Sequence, residues 1–553
     1  APPATGATAG NAAAPEEGAA GGEGAAEATE APEEPPPPPE TASEPVAAEA
    51  QKEFIVETKT DSVRFDNAGG KIVSWRMLAY LDDLNAPREL IPRDIAPGGE
   101  FPFRLSVPGD DDATAALDAA LYQDEVRDAA PGDEWPGNGF RGKIVSFTWA
   151  DARGLAAEKR LALSEDGYLG AVRAEVTRNG QPVKFRLTWA VGLPEPHDGK
   201  TTLYWRANNQ GIIRVGGAVQ RLKPASLKQE VQFTASPGTG TIQWAGVEST
   251  YFASVLLPED PNSATVSFVP VATTGEDGGQ EKKPEPVVAA RFDGKGPLQF
   301  STLVGPKDYD LLVKAGRGLE LSIDFSRFAI LYALTKYLFL ALRAVNGYVG
   351  NYGFSIILLT ILLRLFFFPL TYRSSISMRQ NQKKMQKIQP KVKAIQDRYR
   401  KQKRTMESQR KMNDEVMAVY KKEGMNPMGS LGGCLPLLIQ MPFFLAFYYL
   451  LSVTIEMRGA PFILWVHDLS RMDPYYVLPI LMGVSWMLQQ SLTSSSIADP
   501  TQRRIMGLMP LIFTWMMRNM PSGLVLYWLV SNLLGLVQQY MINRQADRMS
   551  AQA

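Results

Sequence analysis

The chain has 553 residues, enough for more than one domain, and its 58 Lys and Arg residues balance 58 Asp and Glu residues. A single cysteine, Cys434, excludes an intramolecular disulfide bond, and only two histidines, His197 and His467, leave little scope for histidine-based metal sites or nucleophile–histidine pairs. No glycine-rich phosphate loop occurs in the sequence, so we expect neither nucleotide-driven chemistry nor a cofactor.

Residues 1–50 are an acidic linker. They include ten Glu, no Lys or Arg, and a run of five prolines at Pro35–Pro39. This composition cannot bury a core, so the segment is predicted to be disordered and partly extended. The chain begins without Met, and no apolar stretch precedes the linker. We therefore expect that an N-terminal anchor has been removed or is missing.

Residues 51–325 are predicted to form a large all-β sandwich domain. Apolar and polar residues alternate in two runs that flank Asn179-Gly180, a strong signal for a β-hairpin. The apolar members of these runs are Val172, Ala174, Val176, Val183, Phe185, Leu187 and Trp189. Many short strands with turn signals over this length are typical of a sandwich. His197 lies in a predicted loop, and we assign it no catalytic role.

Residues 351–372 are the first clear membrane span. Eighteen of them, at ~1.5 Å per residue, give about 27 Å of helix, close to the ~30 Å hydrocarbon core. Arg364 lies inside this span, where a charge costs about 2.5–3.5 kcal/mol, and Thr360 shares its helix face. Arg364 either extends along the apolar surface to the interface or, as we favour, faces a polar cavity.

Residues 326–345 are apolar but interrupted by charges, so they form either a span or an amphipathic helix in the interface. The positive-inside rule places the basic segment that follows the first span in the cytoplasm, and one span must separate it from the external β-domain. A second span before it would put the β-domain inside. We therefore place residues 326–345 on the outer membrane surface.

Residues 373–425 are strongly basic. Between Arg373 and Lys422 there are sixteen Lys and Arg against four Asp and Glu. Apolar residues recur at helical spacing on both sides of a charged break near 401–407, which predicts an antiparallel helical hairpin. It is either a solvated topology signal or a docking surface for an acidic partner such as ribosomal RNA. Few aromatics are interleaved, so sequence-specific binding of nucleic acid is not expected.

Four further spans are predicted, followed by a cytoplasmic tail at residues 543–553. They carry amides and hydroxyls but no Asp, Glu or His, which argues against a proton- or ion-coupled transporter. Most of these polar groups are expected to hold helices together. The predicted spans are residues 435–455, 475–492, 506–520 and 523–542.

Several ordered motifs resemble those of the YidC membrane protein insertases, a family that includes the mitochondrial Oxa and chloroplast Alb proteins. The motifs are Gly353–Ile357 with Arg364, Phe368–Thr371, Asn426–Gly429, Gly432–Pro442, Asp473–Tyr476 and Pro521–Trp528. The resemblance implies a multi-pass protein of the bacterial inner membrane with five spans here, a cytoplasmic helical hairpin and a periplasmic sandwich.

The resemblance also implies a hydrophilic groove that opens to the cytoplasm and to lipid but is closed outside. The residues that match the groove of the family are Arg364, Thr360, Trp528 and Gln490. Gln440, a polar residue within residues 435–455, completes the predicted groove set. In this family the periplasmic domain has a shape like that of sugar mutarotases. Mutarotase chemistry needs paired histidines, and this domain has only His197, so we do not carry that activity over.

We predict a non-enzymatic insertase and chaperone for nascent inner-membrane proteins. Its expected partners are nascent membrane-protein segments, the ribosome, the Sec translocon and the lipid bilayer. The main alternative is a transporter or channel with a periplasmic binding domain, and a second is a membrane-tethered sugar-modifying enzyme.

Overall fold

The computed structural model describes most of the chain from residue 45 onwards. The residues outside the description are 1–44, 83–84, 96–98, 134, 138, 195–208, 275, 278–279, 282–285, 327, 401–404, 423–434, 494–499 and 553. Most of the predicted linker at residues 1–50 therefore lies outside the described residues, as do His197 and Cys434.

The described part of residues 53–306 is built from antiparallel strands. The strands are β1 Glu53–Glu57, β2 Asp61–Asp66, β3 Lys71–Leu81, β4 Pro87–Glu89, β5 Arg104–Ser106, β6 Gln123–Asp128, β7 Gly142–Ala150, β8 Leu155–Ser164, β9 Leu169–Arg178, β10 Gln181–Pro182, β11 Lys184–Val191, β12 Gln210–Val215, β13 Ala218–Leu222, β14 Val231–Thr234, β15 Ile242–Glu248, β16 Phe252–Pro258, β17 Thr265–Val271, β18 Glu276–Asp277, β19 Gln280–Glu281, β20 Val287–Lys295 and β21 Leu298–Pro306.

Two large sheets face each other. The larger has the strand order β13-β12-β15-β16-β21-β9-β8-β7-β6, with β10 added to β9, and the smaller has the order β14-β17-β20-β11-β5. Strands β1–β4 form a third sheet, and β18 pairs with β19. The rings of Phe292 and Phe300, one from each large sheet, meet edge to face at 5.0 Å between centroids. The predicted β-sandwich is confirmed.

The predicted hairpin at Asn179-Gly180 is present but short. Both residues have positive φ, +51° and +75°, as a type I′ turn requires. Only Gln181 and Pro182 pair with β9; the chain then crosses, and β11 joins the other sheet between β20 and β5. Pro182 has no N–H to extend the ladder. The crossing lets the apolar residues of β9 and β11 bury against one core from opposite sides.

The described helices are α1 Asp111–Ala119, α2 Tyr309–Ala315, α3 Ala329–Val349, α4 Tyr352–Arg400, α5 Met406–Lys422, α6 Leu435–Val453, α7 Val477–Thr493, α8 Pro500–Met517 and α9 Ser522–Gln552. By length and composition, three described stretches can cross a membrane: Ala329–Val349, Tyr352–Tyr372 and Ser522–Gln545. Gln440–Val453 and Gly507–Met517 are shorter apolar helices. The all-β domain followed by a helical region is confirmed, whereas the count of five spans stays a prediction.

Helix α4 is longer than the predicted span. It continues without a break through Pro369 and Pro390 into the basic segment. Near its end it packs against α5, where the Tyr399 hydroxyl donates to Glu415 Oε1 at 2.8 Å and Arg398 pairs with Glu415 Oε2 at 3.3 Å. The two helices thus form a hairpin whose first arm is the extension of the first span.

The residues between β21 and α3, numbers 307–328, join the sandwich to the helices, and we call them the joining segment. Helix α3 runs along this segment. Phe325 meets Tyr332 at 5.7 Å between ring centroids, Tyr309 meets Phe339 at 5.6 Å, and Arg343 forms an ion pair with Asp310. Both early and late turns of α3 thus contact the joining segment. These contacts favour the predicted placement of α3 on the outer membrane surface. That placement stays a prediction, because the length of α3 alone also permits a span.

A buried ion network fixes the same joining segment to the sandwich. Glu248, 1% exposed, accepts hydrogen bonds from Arg221 Nε at 2.8 Å and from Lys307 Nζ at 3.2 Å. Arg221 also donates to the Ser322 carbonyl at 2.9 Å. Buried charges of this kind are tolerated only when paired, so Glu248 holds two basic residues and, through one of them, the joining segment.

We expect Glu248→Ala to destabilise the protein by about 3–5 kcal/mol, because it leaves the buried Lys307 charge without its partner. Thermal unfolding of the detergent-solubilised protein measures the loss. Glu158→Ala is the matched control, since Glu158 pairs with Arg160 on the exposed sheet surface and such pairs contribute about 0–1 kcal/mol. Equal effects of the two substitutions would contradict the role given to Glu248.

Glu456, just after α6, faces the joining segment. Its Oε1 accepts a hydrogen bond from the Tyr309 N–H at 3.4 Å. Burial, reinforced by the nearby charge of Asp308 and opposed by Arg343, raises the pKa of Glu456 from 4.5 to about 7. The neutral form is therefore favoured in the folded protein.

The raised pKa predicts a pH-dependent stability. Between 4.5 and about 7 the folded state binds more protons at Glu456 than the unfolded state, so the stability from this group is full below 4.5 and is lost as pH rises through about 7. Glu456→Gln should flatten the dependence of the melting temperature on pH over this window. Glu407→Gln, a change in an exposed i,i+4 pair with Lys411, is the control. An unchanged slope in Glu456→Gln would refute the assignment.

Candidate functional site

Arg364 connects three helices at the centre of the helical region. It projects from α4, and its Nη2 donates to the Ser531 carbonyl of α9 at 2.8 Å and lies 3.3 Å from Ser531 Oγ. A longer contact of 3.5 Å reaches Gln440 Oε1 on α6. The side chain is half-buried. The structure thus brings two of the predicted groove residues, Arg364 and Gln440, together.

All these acceptors are neutral. The predicted spans contain no Asp or Glu, and in the described part of the chain no carboxylate pairs with Arg364. The hydrogen bonds given above all use one nitrogen, Nη2. The guanidinium therefore keeps its full positive charge, with Nε and Nη1 as donors that none of these bonds occupies.

Thr360 lies one turn nearer the outer end and is 1% exposed. Its hydroxyl donates to the Ile356 carbonyl of its own helix at 2.6 Å. It therefore belongs to the packed zone above Arg364, and its predicted role in the groove stays a prediction.

Trp528 lies between two helices. Its ring meets Phe444 of α6 at 4.7 Å and Phe513 of α8 at 4.8 Å between centroids. Only 5% of the residue is exposed. Trp528 is thus packed among aromatic rings of α6 and α8, and its predicted role in the groove stays a prediction.

Another glutamine, Gln489 of α7, lies near Arg364. A Cβ added to Gly535 of α9 would lie 2.6 Å from Gln489 Nε2 and 3.8 Å from Arg364 Nη2. Gln490, the predicted groove residue, is half-buried on α7 and is not among the hydrogen-bond partners given for Arg364. Its role stays a prediction.

Two residues of the site were missed by the reasoning from sequence. Ser531 is the main acceptor for Arg364, and Tyr527, one turn earlier on α9, lies close enough to interact electrostatically with Arg364. Tyr527 is 4% exposed and stacks on Phe447 at 4.3 Å. The available signal was their i,i+4 spacing, which puts both on one face of the last span.

The described residues hold no group of His, Cys, Asp and Glu that could bind a metal ion. The site is instead a cationic, hydrogen-bonded centre set among apolar helices that follow a large β-sandwich. These features define the class as polytopic membrane proteins with a polar centre between the helices and a large β-domain.

Two family models match this chain. The model described as "YidC periplasmic domain" matches residues 54–341, and the model described as "60Kd inner membrane protein" matches residues 344–549. The chain belongs to the family of YidC membrane protein insertases and is an inner-membrane protein. The resemblance found in the sequence is confirmed, and the transporter alternative is not favoured.

Individual relatives agree. A membrane protein insertase YidC of Syntrophus aciditrophicus is 33% identical over 90% of this chain and 86% of its own length. That of Geobacter sulfurreducens is 35% identical over 74% of this chain and 72% of its own length. A crystal structure of an active YidC insertase aligns with 89% of this chain and 93% of its own at 18% identity, with a TM-score of 0.37. The assignment rests on the sequence matches.

Proposed function

We propose that this chain inserts and folds nascent inner-membrane proteins, with no catalytic chemistry of its own and no nucleotide or cofactor. The observation that carries the proposal is the half-buried Arg364, attached through Nη2 to neutral acceptors and facing no carboxylate in the described part of the chain. The polar flank of a client dwells at this charge while its apolar segment enters the bilayer.

The energetics favour such a role. Moving a polar or acidic flank into the hydrocarbon is costly because the flank loses water. A charge–charge contact at 4 Å is worth about 1 kcal/mol in water but roughly 4 kcal/mol at an effective dielectric of 20. Arg364 therefore offsets part of the cost when the groove is partly dry.

The apolar route for the client is the opening between α6 and α8. Both helices carry exposed apolar side chains, namely Met441 and Leu445 on α6 and Leu508, Leu511 and Ile512 on α8. Trp528 packs against aromatic rings of both helices. Such a surface binds varied apolar segments because it makes few directional demands, and methionine adapts to many shapes.

The basic hairpin of α4 and α5 is proposed to lie in the cytoplasm. There it meets the ribosome and the client as it emerges, and the chain works either alone or beside the Sec translocon. The support is its charge, sixteen basic residues against four acidic ones between Arg373 and Lys422. A charged surface of this kind attracts anionic partners such as RNA without reading their sequence.

The groove charge is tested with Arg364→Ala and Arg364→Lys. If the charge offsets negative charge on the flank, the lysine variant should keep much of the activity and the alanine variant should lose most of it, most strongly for clients with acidic tails. Protease accessibility of the translocated tail, measured for acidic, neutral and basic versions, gives the result.

The control is Arg518→Ala, because Arg518 directly follows α8 at its predicted outer end and packs on the Trp515 ring at 4.8 Å. It should leave insertion close to wild type for all three tails. Equal loss for all three tails in Arg364→Ala would show that the arginine holds helices together or hydrates the cavity, and the electrostatic role would be wrong.

A further inference from the structure

The outer ends of the helices are covered by residues 458–473, which we name the outer loop. On one side it is bound to the start of α4. Asn351 Nδ2 donates to the carbonyls of Pro461 at 3.1 Å and Phe462 at 3.2 Å. The rings of Phe354 and Phe462 meet at 5.2 Å between centroids. The loop is thereby held against the span that carries Arg364.

On the other side the outer loop is held by Asp473, which is 1% exposed. Its Oδ1 accepts hydrogen bonds from Trp465 Nε1 at 2.9 Å and from the Tyr475 N–H at 3.0 Å. Its Oδ2 accepts from the Leu478 N–H at 2.7 Å, at the first turn of α7. One buried carboxylate therefore joins the middle of the loop to the beginning of α7.

The turn before α9 closes the third side. The Ser522 N–H donates to the Arg471 carbonyl at 2.7 Å, and the Gly523 N–H donates to the Leu469 carbonyl at 3.0 Å. The packing here is tight around Gly523. A Cβ on Gly523 would lie 3.0 Å from Leu451 Cδ2 and 3.2 Å from the Leu469 carbonyl oxygen.

Gly353 shows the tightest approach of loop and helix. A Cβ added there would lie 2.0 Å from Cδ2 of the Phe462 ring and 2.8 Å from the Phe462 Cβ. Any residue other than glycine must push Phe462, and the outer loop with it, away from α4.

The barrier between Arg364 and the outside is short. Eleven residues separate Arg364 from Gly353, or roughly 16 Å of helix at ~1.5 Å per residue. The α4 residues Ile356, Leu359 and Thr360 in this interval are all buried. A flank held at Arg364 therefore has one packed layer and the outer loop still to pass.

The outer loop is fixed to the sandwich at its base. Arg458 packs its guanidinium over the rings of Tyr251 at 5.3 Å and Phe252 at 5.9 Å in the sandwich. The next residue, Gly459, has φ of +69° and is exposed, a conformation that glycine adopts without strain. Because glycine has no Cβ, Gly459 is the residue beside this base whose backbone can change conformation at low cost.

We propose that the outer loop is the exit gate for the translocated flank of a client, with Gly353 and Asp473 as positioning residues that set its closed position. This inference rests on the proposed function and adds the route by which the flank leaves. The gate opens outward by separation of Phe462 from α4, and it closes again on the bonds from Asn351 and to Asp473.

A disulfide lock tests the gate. The lock combines Gly353→Cys and Phe462→Cys in a Cys434→Ser background. An outward shift of the outer loop by about 1 Å brings the distance between the two Cβ atoms near the 3.5–4.5 Å that a disulfide needs. The oxidised protein should still take up the apolar segment of a client but translocate its tail at least tenfold more slowly. Reduction should restore translocation.

The matched control locks two helices without touching the loop. Ser485→Cys with Asn532→Cys joins α7 to α9, whose native side chains lie 3.1 Å apart from Oγ to Nδ2. Its oxidised form should translocate tails at close to the wild-type rate. Tail translocation by the oxidised Gly353–Phe462 pair at the control rate would overturn the gate.

Gly353→Ala provides a second measurement that does not depend on the disulfide. Its Cβ displaces Phe462, so a cysteine introduced at Ile356 should react severalfold faster with a membrane-impermeant maleimide added outside. Gly347→Ala, where an added Cβ meets nothing within 4 Å, is the control. Unchanged labelling would refute the positioning role of Gly353.

The gate and the proposed function can fail separately. If Arg364→Ala loses insertion but the oxidised Gly353–Phe462 pair still translocates tails freely, the gate is wrong while the proposed function stands.

Discussion

The structure depends on one unusual attachment, the hydrogen bond from Arg364 Nη2 to the Ser531 carbonyl. An arginine in an apolar span is costly, and a nearby carboxylate is the common way to offset the cost. Here the offset comes from neutral oxygens, which stabilise the guanidinium without cancelling its charge. A carboxylate partner would leave a neutral pair with nothing to offer an acidic flank. Under the proposed function, the neutral acceptors leave the charge of Arg364 available to an acidic flank.

The helical region that contains this site is packed differently at its outer and inner ends. On the outer side, a Cβ at Gly353 would overlap the Phe462 ring, and a Cβ at Gly523 would make only tight contacts of 3.0 Å and more. On the inner side, α4 and α9 are joined by polar contacts, with Gln538 Nε2 donating to Thr371 Oγ1 at 2.9 Å and the Tyr372 hydroxyl donating to Gln545 at 2.6 Å. Close apolar packing excludes water, whereas polar side chains admit it. This difference between the two ends is what the proposed function expects of a groove that opens on the inner side and is closed outside.

Reasoning from sequence succeeded where one residue type has one physical consequence. An arginine among apolar residues marks a polar site, and Asn-Gly between alternating runs marks a type I′ turn. It was less successful where three-dimensional packing decides. The chain leaves the ladder after Pro182 because both faces must reach one core. The predicted boundary at residue 372 between the first span and the helical hairpin falls inside one continuous helix, α4, so that boundary stays a prediction. Ser531 binds Arg364 mainly through its backbone carbonyl, which no side-chain pattern specifies, and its i,i+4 spacing from Tyr527 shows only that both lie on one face of the last span.

The relation of the sandwich to the membrane helices follows from the same packing. One apolar cluster runs from Trp244 and Leu303 of the sandwich, through Phe325 of the joining segment, to Phe447 and Trp528 in the helices. Charged contacts reinforce it at Glu248 and Arg458. A domain joined by a flexible linker would transmit no constraint to the outer loop. A domain that shares its core with the helices holds the base of that loop in place. In the proposed gate, the sandwich would therefore be the fixed frame against which the outer loop closes.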